Sequence, residues 1–162
     1  MASILKKIFN VLNADLTGRS WHKEVVHPYF QSLIYFGHKD PTKCYWEAEL
    51  TIPGSQDRVG VTMQGTPQGP TAAEEAFCRS VLADLDRLFQ ICRPAFEPEF
   101  SSWTKQPLPS EWRAAFKLDG FSVPSGGEPS EKWEVTYIVE SAGHSFTALI
   151  ESGEAQGVQV DG

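Results

Sequence analysis

The sequence predicts an α+β fold: a mostly antiparallel sheet with one long amphipathic helix, over about residues 71–93, packed on it, plus a short N-terminal helix. Three observations carry that expectation. Two stretches before residue 65 alternate apolar and polar residues with a period of two. A stripe of apolar residues recurs at threes and fours between Phe77 and Cys92. Two further strand patterns meet at a turn inside "WEVTYIVESAGHSFTALIE", residues 133–151. Strands before and after a single helix make one domain over 19–162, with 1–18 as an amphipathic arm.

The arm, "MASILKKIFNVLNADL", places Ile4, Leu5, Ile8, Phe9, Val11 and Leu12 on one helical face, with Lys6 and Lys7 beside it. Its apolar runs are too broken for the h-region of a signal peptide, and two lysines make a weak membrane anchor. No stretch approaches the ~20 apolar residues of a membrane span. The first strands are expected at 21–27 and 29–36, separated by Pro28, which removes a donor and favours a bend. In 43–52, Cys44, Trp46, Ala48, Leu50 and Ile52 share one face, and Lys43, Tyr45, Glu47, Glu49 and Thr51 the other. "PGSQ" turns the chain into 58–64, with Val59, Val61 and Met63 inward. If 52 opposes 57, Thr51 lies across from Arg58 and Glu49 from Gly60, so Arg58 sits diagonal to Glu49 as its counter-ion.

Thr71 with Glu74 three residues on is a capping box, in which each side chain satisfies an orphaned backbone N–H. The helix then carries Phe77, Cys78, Val81, Leu82, Leu85, Leu88, Phe89 and Cys92 on its stripe, and Pro94 is expected to stop it. Pro94, Pro98, Pro107 and Pro109 mark an irregular connection. A short helix capped by Ser110 is expected over 110–118, with a strand as the alternative for its second half, then a loop with a brief strand at 121–123. In the 133–151 hairpin, Trp133, Val135, Tyr137 and Val139 form the more apolar set and should face the core. Glu134, Thr136, Ile138 and Glu140 are left outward. "GVQVDG" closes the chain as a last strand.

Ten Phe, five Trp and four Tyr in 162 residues are ample for a packed core and argue against disorder. Three cysteines, with no CxxC pair, indicate free thiols in a reducing, cytoplasmic compartment. Charge is segregated. Residues 1–118 carry 13 acidic and 13 basic side chains; 119–162 carry eight acids against Lys132, which is the whole net charge of −7. Such a segment repels nucleic acid and attracts basic proteins.

The chemistry-bearing residues do not assemble into a catalytic or metal pattern. His22 and His27 are five apart on one strand and point to opposite faces, and His38 and Cys44 lack ligand spacing. Cys78 and Cys92 sit in the helix's apolar stripe. Ser141, His144 and Ser145 surround "SAGH", which reads as the turn of a hairpin with Gly143 at positive φ. "GTPQGPT" lacks the lysine of a phosphate-binding loop, and no GxSxG elbow is present. The acid pairs Glu47/Glu49 and Glu74/Glu75 fall where solvated acids are ordinary. No catalytic residue, metal ligand or cofactor is therefore assigned.

The run from Trp133 through "HSFTALIESGEAQGVQVDG", with "HPYFQSLIYF" and "YWEAELTIPG", resembles an uncharacterised family of small bacterial proteins. That resemblance implies an immunity protein encoded beside a secreted or contact-dependent toxin. It is carried by Trp, Tyr, Phe, Gly and Pro, so it transfers no functional residue. The expected function is a non-enzymatic interaction protein presenting an acidic face to a basic protein partner. The face is assigned to Glu134, Ile138, Glu140, Glu151 and Glu154. The competing expectation is a small enzyme with a cleft between the long helix, the 65–70 loop and the sheet.

Overall fold

The computed structural model describes residues 21–162; the arm expected at 1–18 lies outside them. Eight strands form one sheet: β1 Trp21–His27, β2 Gln31–Gly37, β3 Tyr45–Thr51, β4 Arg58–Gln64, β5 Lys117–Val123, β6 Trp133–Val139, β7 His144–Glu151 and β8 Glu154–Asp161. Their spatial order is their order in the chain. Two four-stranded meanders meet at β4 and β5, which pair parallel through Gly60↔Gly120 and Val61↔Phe121. A parallel pair needs a long crossover. Here it is two helices, α1 Ala72–Ala83 and α2 Leu85–Thr104.

This corrects the expected class of one long helix over 71–93 on a mostly antiparallel sheet. The start is as read: Thr71 N–H donates to Glu74 Oε2 (2.7 Å), and Glu74 N–H donates to Thr71 Oγ1 (3.2 Å). The helix then breaks at Asp84 (φ −145°, ψ 76°). Asp84 closes α1 and caps α2, its carboxylate accepting the N–H of Arg87 at 2.9 Å. Pro94 does not stop α2, which continues through Pro98 and ends at Lys105 in the left-handed region (φ 59°). An interior proline costs about 3 kcal/mol. Both prolines fall on the exposed side, whereas Phe96 and Phe100 fall on the buried side. Burying a Phe contributes about 1.5–3 kcal/mol, so two of them recover from about half to all of the ~6 kcal/mol that two prolines cost, and the rest of the buried stripe adds to this.

A second correction concerns 110–123. The expected short helix is a single 3-10 turn, Trp112–Ala114, capped by Glu111 rather than Ser110. The expected brief strand is the full seven-residue β5 at the centre of the sheet. Its alternation is hidden by a register shift between Leu118 and Gly120. The extra residue lets Leu118 and Phe121, three apart, both turn inward.

Both helices pack on one face of the sheet, called the inner face below. Phe89, Phe96, Trp112, Phe116, Tyr137 and Phe146 form its aromatic centre, with Phe89 stacked on Trp112 (4.7 Å) and Phe96 on Phe116 (5.4 Å). Trp133 packs edge-on against Phe77 at 5.0 Å, so the odd-numbered residues of β6 face the helices. Strand β1 pairs with β2 along its whole length but is largely exposed: Val26 is 94% exposed and Trp21 half exposed. Charged Lys23 and Glu24 guard this edge against further pairing.

Candidate functional site

The outer face of the sheet gathers the polar side chains that the pleat turns away from the helices. Its central row runs Glu49, Gly60, Gly120, Thr136, Thr147, Gln159 across β3 to β8. Two adjacent glycines leave no side chains at the middle of this row, so the face is dished. The hollow measures about 340 Å³, and Thr136, Thr147, Asp119, Glu134 and Asp161 are among the residues that line it. The threonine hydroxyls bond each other at 2.9 Å. Glu134 N–H donates to Ser122 Oγ (2.8 Å), which ties β5 to β6 beside the hollow.

The five residues assigned to the acidic face do not form one cluster. Glu134 is exposed on the outer side of β6, and Ile138, half-buried, lies opposite Ser145 on the same side. Glu140 projects from the turn after β6. Along a strand rising ~3.3 Å per residue, Glu134 and Glu140 stand about 20 Å apart. Glu151 ends β7 and lies opposite Glu154 across a two-residue turn, Ser152 (φ 53°) and Gly153 (φ 78°). Lys132 approaches Glu151 at 3.9 Å. Glu134, Glu151 and Glu154 thus share one end of the meander, and Ile138 and Glu140 the other.

Expectations for the histidines and cysteines can be compared with their surroundings. His144 stands against Trp103 with ring centroids 4.1 Å apart, and its Nδ1 is buried without a hydrogen-bond partner. His38 Nδ1 accepts the N–H of Asp40 (2.9 Å), and Cys44 Sγ accepts the N–H of His38 (3.2 Å). Burial pushes the thiols of Cys78 and Cys92 up to about 12, opposite to what a nucleophile needs. Among the described residues no three His, Cys, Asp or Glu side chains come together as a metal site. No described helix is long and apolar enough to cross a membrane. At the cleft expected near 65–70, Trp46 Nε1–H donates to the Thr66 carbonyl (2.9 Å), and a Cβ on Gly65 would come within 2.9 Å of the Trp46 ring. The loop there closes onto β3.

Two acids expected to be solvated, Glu47 and Glu74, are buried. Glu47, expected as a solvated acid, faces outward as its position requires but is only 2% exposed. It lies between Ile34 of β2 and Thr62 of β4. Burial pushes its carboxyl up to about 7, with the neighbouring Tyr45 hydroxyl offsetting part of the rise. The Tyr45 hydroxyl is itself held above its ordinary value by burial and by the charge of Glu47. The Tyr45 hydroxyl is directed at the Glu47 carboxylate, and beyond that mutual contact neither Glu47 Oε1 nor Tyr45 Oη has a hydrogen-bond partner among the described residues. Glu74 is buried as well, but it is satisfied within the capping box. The available signal for Glu47 was its place in a strand flanked on both sides.

Comparison with known proteins returns no match: no family model fits the chain, and no curated protein or solved structure aligns with it significantly.

Proposed function

We propose that this protein is a non-enzymatic, cytosolic interaction protein whose acidic C-terminal meander receives a basic protein partner, in the manner of an immunity protein neutralising a toxin. One observation carries the reading: residues 119–162, with eight acids against Lys132, make up nearly all of β5 to β8 and their turns. Their outer side is dished, and Asp119, Glu134 and Asp161 line the hollow. Ile138 adds a half-buried apolar contact on the same side. Charge complementarity of this kind raises association rates toward ~10⁸–10⁹ M⁻¹s⁻¹, which suits interception of a toxin.

The test is capture from a host lysate on immobilised protein, wild type against Glu134→Lys/Glu140→Lys, at low and high salt. Both sites are exposed, so the variant should keep its thermal midpoint. A basic protein held by the wild type at low salt and lost from the variant is the expected result. Equal retention by both would reduce the acidity to a solubility device.

A further inference from the structure

Gly60 and Gly120 are direct neighbours in the parallel pair at the centre of the sheet. A glycine inside a strand weakens it, and such a glycine serves a positive φ, a bulge, or the close approach of another molecule. Positive φ is not the reason, because the described glycines at positive φ are Gly54, Gly69, Gly126, Gly127, Gly143 and Gly153. The register shift between Leu118 and Gly120 does not demand it either, since the bulge that requires glycine holds it in the left-handed region. Close approach is what remains. The same bulge adds a charge: its extra residue, Asp119, lines the outer hollow together with Gly120.

The acids of the hollow surround it instead of meeting at one point. Asp161 closes the cross-strand row Ile138, Ser145, Asp161, and Glu134 stands four residues along β6 from that row, about 13 Å at ~3.3 Å per residue. Asp119 on β5 and Asp161 on β8 are three strand spacings apart, about 14 Å. Carboxylates so spread cannot share a metal ion, whose oxygen ligands lie at ~2.0–2.6 Å. None of the described residues lining the hollow is basic. The cations of β4 and β5 are joined to acids outside it, Arg58 to Glu49 and Lys117 to Asp57, each at 3.4 Å. Asp161 accepts one N–H from Gln159 (2.9 Å), and the Thr136 and Thr147 hydroxyls bond each other, which leaves acceptor lone pairs on all three.

We propose that this hollow seats the guanidinium of an arginine presented by the basic partner, with its planar head laid over the bare backbone of Gly60 and Gly120. The charge of the hollow is the complement of such a group. Its volume, about 340 Å³, is at the small end of the ~300–1,000 Å³ of ligand pockets and suits one side-chain end better than a folded element. Acceptors spread around a hollow favour arginine over lysine. A guanidinium points five N–H donors outward from a flat frame, whereas an ammonium gathers three on one atom. That the arginine belongs to a protein partner rests on the function proposed above; the hollow's preference for a guanidinium does not.

The experiment is an amide NMR titration of the full chain with Nα-acetyl-arginine methylamide, against the citrulline analogue, which is its neutral isostere, and the lysine analogue. The arginine probe should shift Gly60, Gly120, Thr136 and Thr147 saturably, the lysine probe should bind at least about threefold more weakly, and citrulline should do nothing. Gly60→Ala should keep or raise the thermal midpoint while weakening the arginine probe about tenfold, because it fills the hollow. Asp161→Asn, at an exposed site, should weaken the probe about threefold with the midpoint unchanged. Citrulline or lysine binding as well as arginine overturns the assignment. So do probe shifts confined to Glu140, Glu151 and Glu154, probe binding that both variants leave intact, and a Gly60→Ala chain that no longer folds. Shifts at the hollow that follow protein concentration without any probe would make its occupant a second copy, which also overturns it. Probe binding at the hollow with no basic protein captured from lysate supports the guanidinium site and sinks the function proposed above. Capture of a basic protein that Gly60→Ala leaves unchanged overturns the hollow and leaves the acidic face standing.

Discussion

Replacing Glu47 by Gln should make the protein more stable at alkaline pH and leave it nearly unchanged in acid. The reason lies in where the proton goes. Burial raises the Glu47 carboxyl from its ordinary 4.5 to about 7, so the folded chain holds this proton more tightly than the unfolded chain. Below pH ~4.5 both states are protonated, and the group contributes no pH-dependent difference. Between 4.5 and about 7 the unfolded chain ionises first, and folding stability falls as pH rises. Above about 7 both states are ionised and the loss is complete. At about 1.4 kcal/mol per pH unit, that interval sets a ceiling of about 3 kcal/mol. Gln cannot ionise but still buries an amide without a partner, so the expected gain at pH 8 is about 1–3 kcal/mol. Urea denaturation of both proteins at half-unit steps from pH 4 to 8.5 measures it. The quantity to plot is variant minus wild type, because Asp40 and Asp86, whose carboxyls are held down by hydrogen bonds, impose the opposite slope on both proteins alike. A difference that stays flat from pH 4 to 8.5 would mean that Glu47 is solvated, and the reasoning fails.

Phe96→Ala should cost about 3–5 kcal/mol, since Phe96 is fully buried against Phe89, Phe116, Tyr137 and Phe146; an unchanged denaturation midpoint would remove α2 from the core. Pro94→Ala, on the exposed side of the same helix, should stabilise by about 1–2 kcal/mol, the regained helix propensity less the freedom returned to the unfolded chain. A destabilised variant would show that the proline is needed there. Cys78 and Cys92, both 0% exposed and pushed up to about 12, should resist iodoacetamide at pH 8 until the chain is unfolded; mass spectrometry of peptides from the native protein checks this.

Several features were legible without any structure because their causes are local. The pairing of Thr51 with Arg58 and of Glu49 with Gly60 follows from one turn, and with it the Glu49–Arg58 ion pair at 3.4 Å. The Thr71–Glu74 box spans four residues. The inward turn of Trp133, Val135, Tyr137 and Val139 follows from alternation alone. What the chain does over longer distances was not legible. Pro94 reads as a stop until Phe96 and Phe100 have a core to enter, and that core is built from β6 and β7, some forty residues later. Strand β5 looks irregular until its bulge is set against β6, and its parallel pairing with β4 depends on the helices carrying the chain back across the sheet. Glu47 shows the same limit at a single residue. Alternation places it outward, as it is, but its exposure depends on Ile34 and Thr62 closing in from two other strands. Facing is a property of one strand's pleat, whereas burial is a property of its neighbours, and only the folded sheet supplies those.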